Sequence, residues 1–406
     1  MERKKIIIIG GGPAGLMAAD KLSLQHEVWL FDKEKNIGQK LLVAGKGGFN
    51  ITNNLTINEL KSKYSPAGFM DNALDNFDNC ALRKWLADMN IPTFVGSSGR
   101  VFPEKGILAI DVLKQIKNKL QQQGVKFYLQ HQFIDFKEDK HVILENQGQE
   151  ISIVTDFLIF ALGGASWPVT GSDGNWRTAL EKKNITTKPF QSSNCGINIH
   201  WPDSIKISHS GKPLKNIRLF TNNLEVKGEA LITDYGLEGN AVYPLIPDIR
   251  NTLNNNQLSN VFIDFKPNST PEQLMQKATK NYCIKPKDYA SIFNLNSMQL
   301  AVIKAYTSKE DYLSTPSFIQ CIKKLVIPVE SLRPVSEAIS TIGGVDLQEI
   351  NDDFSLKKYP WIYTIGEMVD WDAPTGGFQI QGCLAMGNYA AQTIILSLNQ
   401  GLNSQC

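Results

Sequence analysis

The sequence predicts an α/β protein: a twisted parallel sheet with helices on its faces, split by an insertion of antiparallel strands and helices. Three observations predict it. A β-branched run at residues 5–9 leads straight into Gly10, Gly12 and Gly15. Apolar residues then recur at helical spacing, and a second apolar run ends on Asp32. From about Phe190 the texture turns to short alternating segments, and after Arg333-Pro334 it returns to Gly-rich loops and buried runs.

Taken in order, residues 5–9 carry the continuous β-branched pattern of a strand buried on both faces. Residues 13–24 set Ala14, Ala18 and Leu22 beside Leu16 and Ala19, which is helical spacing. Residues 27–31 read as a second strand, and a loop-rich stretch follows over residues 38–54. Helices are expected over residues 80–89 and 107–123; in the latter, Ile107, Leu108, Val112, Ile116 and Leu120 share a face and Gly124 ends the run. Residues 125–129, 142–144 and 156–161 read as strands, the last running into Gly163-Gly164. Residues 217–221, 224–228 and 230–233 alternate as an antiparallel unit would. Helical segments occupy residues 270–324, with Pro271 near a helix start and Glu272 in its first turn. A buried strand at residues 361–365 and a helix at residues 381–398 complete the series. Residues 1–189 and 336–406 are therefore expected to form one domain, interrupted by an inserted region at residues 190–335.

Bulk properties agree with this size of assembly. At 406 residues the chain exceeds what a single core supports, and with 42% hydrophobic and 20% charged residues it belongs among globular proteins. The net charge of +2 gives no global pull toward nucleic acid or anionic membrane. The six cysteines are scattered and include no Cys-x-x-Cys pair, which favours reduced thiols and a cytoplasmic location. Residues 1–9 begin like a signal peptide, but four isoleucines broken by Gly10-Gly11-Gly12-Pro13 fall short of the roughly 7–15 apolar residues such a peptide needs. No run approaches the roughly 18 residues of a membrane span, so no membrane partner is expected.

Gly10-x-Gly12-x-x-Gly15 follows a strand and opens a helix, the arrangement that binds a dinucleotide diphosphate. The first glycine makes the tight turn, the second lets backbone approach the diphosphate, and the third packs helix on strand. The helix N-terminus adds unpaired N–H groups and the positive end of its dipole. Asp32 stands at the end of the second strand, where a carboxylate accepts from ribose hydroxyls and opposes a 2′-phosphate.

That turn alone does not separate FAD from NAD. Three later features favour FAD. The glycine fingerprint occurs once, since Gly163-Gly164 runs on into Ala165-Ser166-Trp167-Pro168 without opening a helix. A long insertion divides the domain. Gly366-Glu367 puts a carboxylate just past a late buried strand, where an open α/β sheet binds ligand, and Gly376-Gly377 follows. Glu367 is placed to accept from ribityl hydroxyls, and Gly376-Gly377 would admit backbone to an aromatic ring, although a plain turn fits those glycines equally well. Asp370-x-Asp372 invites a metal reading, which the lack of a third ligand run opposes, and no metal is expected.

The assembled residues resemble one family closely. Residues 38–53, Gly99-Arg100-Val101-Phe102-Pro103, the strand end Leu162-Gly163-Gly164-Ala165-Ser166 and the stretch 366–377 look like the signatures of bacterial FAD-binding oxidoreductases of BaiN/YhiN type, often labelled aminoacetone-oxidase-family flavoproteins. The resemblance runs from Lys4 to about Ala391. It implies a Rossmann-type FAD-binding domain carrying an inserted antiparallel β-barrel-like plus helical region. It also implies FAD binding by Gly10, Gly12, Pro13, Ala14, Gly15, Asp32, Lys33, Gln39, Lys40, Leu41, Gly45, Lys46, Gly47, Gly163, Gly366, Glu367, Gly376, Gly377 and Phe378. Relatives often have Arg where Gln39 stands, which leaves Lys40 or Lys46 to supply a cation near the phosphates, and Glu where Asp32 stands.

A flavin carries its own redox reactivity, so the protein needs only to orient, tune and exclude water. This accounts for a sequence with no triad, cysteine pair or paired histidine. Arg100, Asn50, Lys46 and Trp371 are the candidates for the substrate face, with a structural ion pair an equal role for Arg100. The expected function is hydride transfer between FAD and a small organic or nucleobase substrate, with NADH or NADPH as a transient donor. The alternatives are a flavin-dependent enzyme reducing uridine in ribosomal RNA, for which the net charge gives no support, and a non-catalytic FAD-binding sensor.

Overall fold

The computed structural model describes residues 3–44, 48–280 and 285–403. The chain divides into two compact units, residues 1–191 with 339–406, and residues 192–338.

The first unit is built on a five-stranded parallel sheet. Strand β1 (Lys5–Ile9) lies at its centre, flanked by β2 (Glu27–Asp32) on one side and by Phe157–Phe160 on the other. Lys126–Leu129 and Ile362–Thr364 form the two edges. In register, Ile9 stands opposite both Phe31 and Phe160, so the strands end at one level. The strand order reverses direction at β1, and an open α/β sheet binds ligand at the carboxyl ends beside such a reversal. The sheet is the parallel one the β-branched runs predict; Ile6, Ile7 and Ile8 are fully buried. Helix α1 (Pro13–Leu22) covers one face and packs against the long last helix, Phe378–Asn403. A Cβ at Gly387 would lie 2.3 Å from the Ala14 carbonyl oxygen, so glycine there sets how closely the two helices approach.

Boundaries moved where tertiary packing outweighs local pattern. The expected loop at residues 38–54 contains helix α2 (Gln39–Ala44) and the short strand Thr52–Asn53. The last helix begins at Phe378, earlier than its apolar spacing suggests. Residues 132–154 form a three-stranded antiparallel sheet, of which the sequence announced only residues 142–144.

Among the described residues, the second unit carries a seven-stranded antiparallel sheet and five α-helices between Pro271 and Lys323. Residues 224–228 and 230–233, expected as separate segments, are one strand, Glu225–Ile232, running through Gly228. Leu325–Val329 and Ser331–Leu332 are separated in sequence by Glu330 alone, yet they occupy opposite ends of the strand order. A sheet whose first and last strands are joined by one residue must curl until its edges nearly meet, which gives the barrel-like form. Trp201, Tyr289, Phe293 and Phe318 fill its core and that of the adjoining helices. Among the described residues, no helix is long and apolar enough to cross a membrane.

Candidate dinucleotide site

A cleft of about 340 Å³ opens at the carboxyl ends of the parallel strands. Its floor is the turn from β1 to α1. Gly10 has φ +111°, and a Cβ there would stand 2.1 Å from the Ala161 carbonyl oxygen, so no other residue fits. A Cβ on Gly15 would stand 2.0 Å from the Gly10 carbonyl oxygen, which is the close helix-on-strand contact the third glycine permits. Gly12 is different: its backbone is extended, and nothing lies within 4 Å of the place a Cβ would take. The protein itself makes no demand for glycine there. The empty space above Gly12 is what a diphosphate approaching backbone requires. Pro13, at the first helical position, has no N–H to leave unsatisfied, and the N–H groups of the rest of the first turn have no partner within the helix.

Asp32 is oriented by backbone. Its Oδ2 accepts from the Gly11 N–H at 2.8 Å and its Oδ1 from the Glu34 N–H at 2.8 Å. Burial holds its carboxyl above the ordinary aspartate range, against the pull of those two hydrogen bonds. Gly11, which the fingerprint leaves unspecified, is required by Ile37, whose Cγ2 would lie 2.5 Å from a Cβ. At the opposite end, Gly366 and Glu367 follow the edge strand Ile362–Thr364. Lys40 Nζ donates to Glu367 Oε2 at 2.5 Å and to Ser166 Oγ at 2.6 Å, while Glu367 Oε1 accepts from the Thr341 N–H at 3.0 Å. Cys383 also lines this end; burial first, and then the Glu367 charge, push its thiol up to about 12, so it stays protonated.

The structure thus brings Gly10, Gly12, Pro13, Ala14, Asp32, Lys33, Gln39, Lys40, Leu41, Gly163, Gly366 and Glu367 onto one cleft. Gly15 lies behind it. Gly376, Gly377 and Phe378 stand at the start of the last helix, against the small sheet that carries Thr52–Asn53 and Arg100–Pro103; a Cβ on Gly377 would be 2.5 Å from the Thr52 nitrogen. Buried polar atoms without a hydrogen-bond partner gather in these segments, namely Asn50 Nδ2, Thr52 Oγ1 and both carboxamide atoms of Gln379. Such atoms call for a ligand or water. Arg100 is half-buried on its strand, opposite Asn53. Trp371 is 1% exposed: its indole donates to the Gly366 carbonyl at 2.8 Å and its ring packs on Tyr64, so it supports the Gly366 turn from the core rather than facing a substrate. Gly45, Lys46 and Gly47 lie outside the described residues. Asp370 is engaged by Lys188 and the Gly343 N–H, and no acidic, histidine or cysteine cluster suited to a metal occurs among the described residues.

Sequence reasoning missed two parts of the wall. Residues 131–134 line the cleft beyond Lys126–Leu129, positioned by the His131 N–H donating to the Asp32 carbonyl at 3.0 Å. Ser172, Asp173 and Trp176 line it from the segment after Gly163. The only sequence signal for the latter was the run of glycines at 163, 164, 171 and 174.

Fold and cleft together define a dinucleotide-binding protein of Rossmann type with an inserted barrel-like unit. The chain belongs to the family described as HI0933-like protein Rossmann domain, which matches residues 4–393. It is 24% identical over 406 residues to a 3-dehydro-bile acid delta(4,6)-reductase of Clostridium scindens, covering 96% of this chain and 98% of that one. It is 24% identical over 391 residues to a ribosomal RNA dihydrouridine synthase of Haemophilus influenzae, covering 92% and 94%. Among solved structures, a 3-ketosteroid delta1-dehydrogenase from Sterolibacterium denitrificans shares the fold with a TM-score of 0.53 at 12% identity, over 98% of this chain and 100% of that one.

Proposed function

We propose that the cleft holds FAD and that the chain is an FAD-dependent oxidoreductase, passing a hydride between the flavin and a small organic or nucleobase substrate. The observation that carries this reading is the pairing of an open Gly12 with a backbone-oriented Asp32 at the carboxyl ends of β1 and β2. These residues fit an adenine dinucleotide: the first turn of α1 receives the diphosphate, and Asp32 accepts from ribose hydroxyls. At the other end of the cleft, Glu367 and Lys40 offer an acceptor and a donor suited to a ribityl chain. The unpartnered amides of Asn50 and Gln379, outside the cleft lining in the segments beside Thr52 and the start of the last helix, are suited to a flavin ring.

When bound, FAD supplies the hydride chemistry itself. The chain's own residues bind, orient and shield. The N-terminus of the 26-residue last helix lies beside Thr52 and directs the positive end of its dipole at negative charge developing there. Cys383, held protonated, takes no part as a nucleophile.

The substrate we assign is a carbon–carbon double bond conjugated to a carbonyl. The names of the two relatives support this, because a 3-dehydro-bile acid with a Δ4,6 system and a uridine both present one. Reducing equivalents enter from NADH or NADPH, bound transiently, and the protein works in the cytoplasm with reduced cysteines. The ribosomal RNA relative favours a second reading, in which the double bond is that of uridine in RNA.

The test begins with purified protein: a flavin absorption spectrum, or uptake of added FAD, is expected. Anaerobic mixing with NADH and with NADPH then bleaches the flavin, and reoxidation is followed with a steroidal enone and with unmodified ribosomal RNA. Turnover with the enone alone supports the small-molecule reading. Dihydrouridine in the RNA selects the second. A flavin that no nicotinamide reduces leaves only the sensor, and a colourless protein that refuses FAD sinks both readings.

A further inference from the structure

We propose that residues 163–176 form a strap closing the dinucleotide cleft, with Asp173 as the positioning residue that fastens it, so that the Lys33–Asp173 ion pair sets how fast the cofactor leaves. This rests on the reading that the cleft holds FAD.

The segment leaves the sheet after Phe157–Phe160 and re-enters regular structure only at the helix Arg177–Lys182, with one short 3₁₀ turn, Pro168–Thr170, between. It lines the same cleft as Gly10–Ala14 and the residues that follow β2. Among the described residues no strand pairing ties it there. Its start is tied by the Ala165 N–H donating to Thr341 Oγ1 at 3.4 Å and by Ser166 Oγ donating to the Ile339 carbonyl at 3.5 Å. Beyond that point two lysines hold it, both from the stretch between β2 and the first turn of α2. Lys33 Nζ reaches Asp173 Oδ2 at 2.7 Å, and Lys40 Nζ reaches Ser166 Oγ at 2.6 Å and Ser172 Oγ at 3.5 Å. Both lysines were expected to bind the cofactor, Lys40 as a cation near the phosphates, yet each ammonium is occupied by the strap or by Glu367.

Contact between the two sides is close. A Cβ at Gly171 would sit 2.9 Å from Glu34 Cγ and 3.3 Å from Lys33 Cε. Because Lys33 directly follows the ribose acceptor Asp32, joining it to Asp173 links the strap to the ribose end of the cleft. The carboxylate is held ready: Asp173 also accepts from the Asn175 N–H at 3.1 Å and from Asn175 Nδ2 at 2.9 Å.

The strap also holds a strained residue. Trp167 has φ +56°, a conformation that a bulky side chain rarely adopts, and its carbonyl accepts from the Thr170 N–H at 2.8 Å and from Thr170 Oγ1 at 2.7 Å. Such strain persists where the surroundings impose it, and it concentrates at ligand clamps and switch segments. Lys33 and Asp173 are 29% and 28% exposed, so their attraction is modest and salt screens it. The pair thus suits a fastener that opens, not a permanent bond.

The experiment measures release of FAD from the holoprotein into an excess of an unrelated flavin-scavenging apoprotein, at low and high NaCl. Asp173→Asn and Lys33→Met are each expected to speed release about two- to fivefold at low salt. The double variant should release no faster than the quicker single. High salt should bring the wild type toward the rate of the variants and leave the variants nearly unmoved, while Asp173→Glu restores slow release. Wild-type protein that keeps its FAD while Asp173→Asn releases it at the same rate overturns the strap, as do single effects that simply add. Wild-type protein that binds no FAD overturns the cofactor reading first, and the strap with it.

Discussion

At the turn from β1 to α1 the wall of the cleft is backbone, whereas along residues 163–176 it is side chains reaching over long sequence distances. In the turn, position is dictated by strand register and by the absence of a Cβ at Gly10 and Gly15. Along the strap, position depends on Lys33 finding Asp173 and Lys40 finding Ser166. The first kind of wall is rigid before any ligand arrives; the second is held by contacts worth little individually. The cleft therefore combines a fixed wall with a releasable one.

The sharpest way to break this comparison lies within the turn itself. Gly10→Ala places a Cβ 2.1 Å from a carbonyl oxygen at positive φ, and a loss of about 2–4 kcal/mol in urea unfolding is expected, together with loss of flavin. Gly12→Ala meets open space in an extended conformation. Its apoprotein should unfold within about 0.5 kcal/mol of wild type, while its FAD affinity falls by about tenfold or more, read by fluorescence titration. Equal damage to the fold from both substitutions would mean that the space above Gly12 is not a ligand seat.

A smaller effect is expected at the other end of the cleft. Lys40→Met removes the ammonium from Glu367, Ser166 and Ser172 together. A loss of about 1 kcal/mol in the apoprotein is expected, and Glu367→Gln combined with it should add little, because the two side chains form one pair. Strictly additive effects would show the pair to be incidental.

The smallest effect concerns pH and lies away from the cleft. His26 is 2% exposed with neither ring nitrogen hydrogen-bonded, and burial, reinforced by the Arg3 charge, holds its pKa below 6.5. The folded chain therefore keeps His26 neutral at a pH where the unfolded chain already binds a proton. Stability from this group is complete above pH 6.5 and falls as pH drops toward the lowered folded value. His26→Leu should flatten that part of the stability–pH curve, measured by urea unfolding from pH 7.5 down to about 5. An unchanged slope would mean that another group titrates there.

How much was legible follows the same divide. The β1–α1 turn could be read because each glycine's role is decided within a few residues, and Asp32 because a strand end fixes it. Glu367 was legible for the same reason, standing just past a buried strand. Helix α2 was not, since Gln39–Ala44 is short and sits among glycines that locally favour loop. Asp173 was invisible: its partner lies 140 residues earlier, and one aspartate in a Gly-rich stretch looks like any solvated charge. Trp371 misled for the opposite reason. Its Asp-Trp-Asp surroundings suggest an exposed loop, but Gly382 and Tyr64 leave room for the indole in the core.

The strand Ile362–Thr364 and the last helix belong to the same sheet and core as β1 and α1. As the polypeptide emerges from the ribosome, residues 192–338 are already contiguous and able to condense, while the nascent amino-terminal half must wait, its sheet lacking an edge and its first helix a partner. A message truncated after the insertion would thus yield a chain with an intact barrel-like unit and an aggregation-prone remainder. The cleft is complete only once residues 362–403 have been added to the amino-terminal half.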